Sequence, residues 1–314
     1  MSLKSVFCVV FAVSMVSVPI MAACGGGVDV SHIETPEEAL AWAKAAGEAV
    51  VGQPVRGVAT VEVNTSEIEV DYTSEDTGLY DIRKVIEFKS DGTGNISDVS
   101  VTLDEAEKDL LKSHGFSVSV PSGVRIEYRF VDGQGYMGLP ANLISQSFLN
   151  APSGISWVTT NTRMGHCVPI SIMDYQDSSC DPQTGVKNLI SLAESASLGT
   201  SRKINGVKTV NVSLQVAMSE IARELFGELP RKIPNSDVVN VDVWIDGNGM
   251  VRRMVLDETP ILRARTQALR GSLTAKDKQV EWRTTVDFHD FGGDFSSMEP
   301  PASDRIVGDS SQLP

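Results

Sequence analysis

Basic charge is what this sequence has least of. In 314 residues, Lys and Arg number 27 against 41 Asp and Glu, a formal net charge of −14. No surface suited to polyphosphate can be assembled easily from that balance, which argues against nucleic-acid binding. Four Cys and four His leave little material for a metal enzyme. No Pro/Gly/Ser-rich linker divides residues 35–305 and no unit of 20–50 residues repeats, so neither separate domains nor a solenoid is expected. The longest apolar run, Val6 to Val18, falls short of the roughly 20 residues a spanning helix needs. What is present is 41% hydrophobic and 22% charged residues, well interspersed, which supports a packed core and argues against wholesale disorder.

The compartment is written at the N-terminus. Lys4, the apolar run, and then Pro19-Ile20-Met21-Ala22-Ala23-Cys24 follow the order of a secretory signal. Two outcomes fit: cleavage after Ala23 with Cys24 incidental, or lipidation of Cys24. Met21-Ala22-Ala23-Cys24 resembles the bacterial lipobox, although Met is a less usual first residue than Leu or Val. In that class of signal the Cys thiol takes a diacylglyceryl group and becomes the mature N-terminus. We read residues 1–23 as a lipoprotein signal peptide, 24–34 as a flexible spacer beginning Gly25-Gly26-Gly27, and 35–307 as one domain with a short tail at 308–314. Two or more acyl chains of the palmitate kind, at about 0.8 kcal/mol per buried CH₂, would hold the protein to the extracytoplasmic face of a membrane. Removal of residues 1–23 leaves 26 basic and 41 acidic residues, a charge of −15 that anionic headgroups repel.

Cys167 and Cys180 remain after export into oxidising surroundings, with twelve residues between them. A disulfide closing that loop would contribute about 3 kcal/mol on the chain-entropy estimate. The alternative is a metal pair with His166, for which the chain has no second neighbouring His and no CxxC spacing.

Thr35-Pro36-Glu37-Glu38 predicts a helix start with a capping box, and Gly52 and Pro54 predict its end. Strands are expected at 58–63, 68–72, 79–88, 96–103, 124–131, 207–216, 238–245, 250–256 and 280–288, with short helices at 104–114 and 219–226. Asp132-Gly133 and Asn205-Gly206 are hairpin turns. The clearest amphipathic segment is 181–198, where Val186, Leu189, Ile190 and Ala193 fall at i, i+3, i+4 and i+7. Hairpins along the whole length predict an α+β fold: one large curved antiparallel sheet with few helices, the 181–198 helix packed into its concave side.

No catalytic constellation emerges. Gly133-Gln134-Gly135-Tyr136-Met137-Gly138 matches a dinucleotide fingerprint, but no Asp or Glu lies between Asp132 and Asp174 to hold a ribose, and no βαβ pattern surrounds it. His32, His114, His166 and His289 are isolated, and Asp287, Asp290 and Asp294 read as solvated carboxylates near a strand end. No cofactor motif is found, and the chain does not read as an enzyme. The segment Gly133 to Met173 is more informative, because its only formal charge is Arg163. Tyr136, Leu143 and Phe148 belong to its apolar set. Either it is a buried strand with a loop, or it lines an apolar cavity.

Several short motifs together resemble the LolA-like envelope lipoproteins, specifically the LppX and LprG type of actinobacterial lipid carrier. They are Met21 to Cys24, Tyr136 with the apolar segment and Trp157-Val158, the hairpin Val241-Asp242-Val243-Trp244-Ile245-Asp246 with Gly249-Met250-Val251-Arg252-Arg253, the closing strand Val286-Asp287-Phe288-His289-Asp290-Phe291-Gly292, and Pro300-Pro301-Ala302-Ser303-Asp304. The resemblance implies an unclosed β-barrel wrapped around helices, with a cavity that takes acyl lipids or lipidated molecules for transport through the envelope. On that basis Val186, Leu189, Ile190, Ala193, Tyr136, Leu143 and Phe148 are the expected cavity residues. The alternative is a sensor or protein-interaction lipoprotein that meets an envelope protein partner and has a filled core.

Overall fold

The computed structural model describes residues 28–31, 33–64, 82–93, 96–102, 125–140, 155–160, 182–226, 237–274, 278–293 and 298–309. Helix α1 (Pro36–Val50) begins as its sequence dictates. The Thr35 hydroxyl accepts from the Glu38 backbone N–H at 3.2 Å, and the Glu38 carboxylate accepts from Thr35 N at 3.0 Å. The strands follow in chain order: β1 (Val55–Asn64), β2 (Ile82–Ser90), β3 (Ile96–Thr102), β4 (Arg125–Val131), β5 (Gln134–Pro140) and β6 (Ile155–Thr160). Then come α2 (Pro182–Ser191), β7 (Ala193–Ile204), β8 (Val207–Ala217), α3 (Met218–Phe226), β9 (Val238–Asp246), β10 (Val251–Asp257), α4 (Thr259–Arg270), β11 (Glu281–His289) and β12 (Ile306–Asp309).

Among the described residues, twelve strands form one unclosed sheet in the order β12-β6-β5-β4-β3-β2-β1-β11-β10-β9-β8-β7. Every neighbouring pair is antiparallel except β12 on β6, which is parallel. The sheet is two meanders, β1–β6 and β7–β10, joined because β11 inserts between β1 and β10. Two-residue turns set the registers. Asp132 and Gly133 have φ of 51° and 77°, and Asn205 and Gly206 have 48° and 83°, the positive values that match a turn to the right-handed twist of its strands.

Alternation places one side of each strand in the core. Ala59 and Val61, Val286 and Phe288, Met254 and Leu256, Val241 and Val243, and Val212 and Leu214 lie in register on that side and are buried. Phe88 meets Phe288 edge to face at 6.0 Å, in a space left by Gly57. A Cβ on Gly57 would fall 2.7 Å from the Asp287 carbonyl oxygen, so no other residue fits there without backbone movement. The opposite side carries polar ladders, including a bidentate pair from Arg253 Nε and Nη2 to the Asp287 carboxylate at 2.5 and 2.8 Å.

The amphipathic segment departs from expectation. The helix ends at Ser191, and Ala193 is the first residue of β7 rather than the fourth member of a helical stripe. The Asn205-Gly206 turn registers the whole of β7 on the valine-rich β8, from Ile204 opposite Val207 to Ala193 opposite Val216. Pairing along twelve residues outweighs the weak helical preference of Ser195 and Ser197. Nor does α2 lie directly on the sheet as its chief neighbour. It packs on α1, and α1 rests on β7 to β10. Strand β5 follows the expected Asp132-Gly133 turn, whereas helix α4, strand β6 and the short β12 lie outside the expected ranges. The predicted strand 68–72 and helix 104–114 lie outside the described residues.

Candidate functional site

On the half of the sheet formed by β2 to β6, the described side chains of β2, β4, β5 and β6 give an apolar core-facing side. Tyr128 and Phe130 of β4 pack with the core cluster, as do Ile86 and Phe88 of β2. Register extends the same side outward: Tyr128 pairs with Met137, and Met137 with Val158. Tyr128 and Met137 are half-buried, while Val158 and Phe130 are buried. The acid-free segment therefore supplies two strands, β5 and β6, to this side. Helix α1 rests chiefly on β7–β10, away from it, and α2 packs on α1.

Tyr136 faces the other way. It pairs with Arg129 and Thr159, one residue out of phase with Met137, so it stands on the side of the sheet opposite the core row. On that outer side the Arg129 guanidinium stacks 4.7 Å from the Trp157 ring, and Arg129 Nη1 donates to the Glu299 carbonyl at 3.4 Å. The residue facing inward is Met137. A two-residue turn at Asp132-Gly133 already requires that assignment, because it places Phe130 opposite Gly135 and Tyr128 opposite Met137.

The helical stripe also changes role. Val186, Leu189 and Ile190 expose 1%, 0% and 0% of their surface, and Ala193 exposes 3%. A side chain bordering a void wide enough for an acyl chain would present surface to a water-sized sphere, and these do not. They fill the region where α2 meets α1 and β7 starts. Ile190 Cδ1 lies 3.3 Å from where a Gly47 Cβ would be, the Gln183 amide donates to the carbonyls of Val50 and Gln53, and Lys187 pairs with Glu48 at 2.9 Å. Leu143, Phe148, Cys24, Cys167 and Cys180 lie outside the described residues. Of the aspartates noted near the last strand, Asp287 is committed to Arg253 and Asp290 is exposed.

A polar cleft of about 260 Å³ opens where α4 meets the ends of β1, β10 and β11. Its lining includes Glu62, Asp257, Glu281, Arg263 and Arg283, too charged to hold hydrocarbon. Behind it lies a group that sequence reasoning missed. Glu258 is wholly buried, its Oε1 accepts from the Thr284 hydroxyl, and its Oε2 has no partner. Burial pushes its pKa from an ordinary 4.5 up to about 8; the neighbouring Asp257 charge adds to the rise and the Thr284 hydrogen bond opposes it. No described helix is long and apolar enough to cross a membrane.

No protein-family model matches the sequence, and no curated protein does. Solved structures do. The chain is similar to LprF from Mycobacterium bovis at 13% identity, covering 86% of this chain and 100% of that one, with a TM-score of 0.43. It is similar to the Mycobacterium tuberculosis lipoprotein LppX at 12% identity, covering 85% and 99%, with a TM-score of 0.38. A LolA superfamily protein from Nitrosomonas europaea matches at 8% identity over 87% and 98%, with a TM-score of 0.24. At such identities the likeness concerns fold alone. The LppX type named from the sequence is among these similar folds.

Proposed function

We propose that this chain is an exported envelope lipoprotein, anchored through a diacylglyceryl group on Cys24, that holds acyl lipids or lipidated molecules against the core-facing side of β2–β6 and carries them through the envelope. The observation that carries the reading is the half-buried pair Tyr128–Met137, on an apolar side of the sheet lying beyond the half on which α1 chiefly rests. Burying an acyl chain there contributes about 25 cal/mol per Å² removed from water. The lipobox-like Met21 to Cys24 supports the anchor, and export supports a disulfide between Cys167 and Cys180. The cavity is thereby moved from the α2 stripe to the opposite half of the sheet.

A second reading, a non-transporting sensor or interaction lipoprotein with a filled core, is favoured by the complete burial of Val186, Leu189 and Ile190. Native mass spectrometry of protein extracted gently from its own membrane separates the two. The wild type is expected to carry an acyl lipid, and Met137→Trp to lose most of it while still folding, because the indole takes ligand space. Lipid-free wild type would favour the sensor. Cys24→Ser is expected to move the protein from the membrane fraction to the soluble exported fraction; retention as tight as wild type would overturn the anchor.

A further inference from the structure

The junction between β10 and α4 is held by one small cluster. The Glu258 N–H donates to the Trp282 carbonyl at 2.9 Å, the Trp282 N–H donates to the Thr259 hydroxyl at 2.8 Å, and that hydroxyl donates back to the Trp282 carbonyl at 3.3 Å. Thr284, one strand position further along the core-facing side, donates to the Glu258 carboxyl. Beyond this cluster α4 is fixed mainly by Ile261, Leu262 and Ala268, while residues 263–267 are at least partly exposed. Glu258 thus sits where β10 ends and α4 begins, with one oxygen hydrogen-bonded and the other buried without a partner.

Of the charged groups on the elements around it, Asp257 on β10, Glu62 on β1, Glu281 and Arg283 on β11, and Arg263 on α4 line the outer cleft, Arg252 and Arg253 of β10 pair with Asp246 and Asp287, and Arg56 on β1 and Arg265 and Arg270 on α4 do not line it. Arg263 is turned to backbone, its Nη2 donating to the carbonyls of Lys278 and Val280 at 2.5 and 3.2 Å. The one charge acting appreciably on Glu258 is that of Asp257, and it has the same sign. A carboxylate formed in this position would be buried out of reach of bulk solvent and beside a like charge, Asp257.

We propose that Glu258 is a proton-operated latch on α4: as the neutral acid it stays in the core and keeps the first turn of α4 clamped to β11, and on losing its proton it leaves the core and releases that turn. The released state exposes the core-facing side of β10 and β11 at one end of the sheet. This inference does not depend on what the protein carries.

The test is amide hydrogen exchange followed by mass spectrometry on the full chain from pH 5.5 to 9, each rate normalised to the intrinsic exchange rate at its pH. One proton lost on opening makes the open fraction rise about tenfold per pH unit between the ordinary and the raised carboxyl pKa. Peptides spanning residues 255–270 are therefore expected to open about a hundredfold more often at pH 7.5 than at 5.5, levelling off near pH 8, and at every pH to open more often than those of β8 and β9, which exchange only with the whole protein. In Glu258→Gln the pH dependence over 255–270 should vanish. Thr284→Val, which removes the hydrogen bond that favours the charged form, should carry the levelling-off to higher pH. A normalised exchange rate that does not vary with pH in the wild type, or the same dependence in Glu258→Gln, would overturn the latch.

Discussion

Glu258→Gln is expected to stabilise the protein by about 4 kcal/mol at pH 7.5 and to change little at pH 4. In the folded protein the Glu258 carboxyl holds its proton up to about pH 8, whereas in the unfolded chain it loses it near its ordinary 4.5. Below 4.5 both states carry the proton and the folded state keeps its full stability. As pH rises from 4.5 the unfolded chain releases its proton first, and stability falls by about 1.4 kcal/mol per unit until the folded group also ionises. Glutamine has the shape of the neutral acid, can accept from Thr284 as Glu258 does, and has no proton to lose. The difference between variant and wild type isolates this group, since every other titrating residue is common to both. Urea unfolding followed by tryptophan fluorescence at several pH values measures it. A variant less stable than wild type at every pH would mean that the carboxyl is needed in a form that Gln cannot copy.

How much of this was legible in the sequence depends on the range of the interaction. Local signals served well: the Thr35–Glu38 capping box, the Asp132-Gly133 and Asn205-Gly206 turns, and most strands appear where residue spacing puts them. The α2–β7 boundary failed because Ala193 continues a helical stripe locally, while the β8 strand that captures it lies beyond the next turn. Helix α4 was passed over although Pro260 stands in its first turn and Gly271 closes it at a φ of 84°. Its apolar side, Ile261, Leu262 and Ala268, is interrupted by Arg263, Arg265 and Arg270, so the period is faint. Tyr136 follows from the apolar segment and the family resemblance, whereas the phase of the Asp132-Gly133 hairpin turns Met137 to the core side. Glu258 could not have been found at all. Nothing distinguishes it from the neighbouring Asp257 until β11 brings Trp282 and Thr284 across it.

The last expectation tests where an apolar ligand can and cannot sit. Leu189→Ala should cost about 3 kcal/mol, within the 2–5 kcal/mol usual for removing a fully buried leucine, and should lower the melting temperature by about 5 °C. Leu189 exposes none of its surface and belongs to α2, whose neighbouring Ile190 lies against Gly47 of α1, so its loss leaves a cavity among helix atoms that cannot close fully. Lipid carried on β2–β6 would be untouched, and native mass spectrometry should find the same occupancy as in wild type. The converse result is equally definite. Were the α2 face the wall of a lipid cavity, shortening Leu189 would remove contacts made with ligand rather than with protein. The lipid-free protein would then unfold at the wild-type temperature while lipid occupancy fell. Comparing Leu189→Ala with Met137→Trp, one losing stability and the other losing lipid, places the ligand on one half of the sheet.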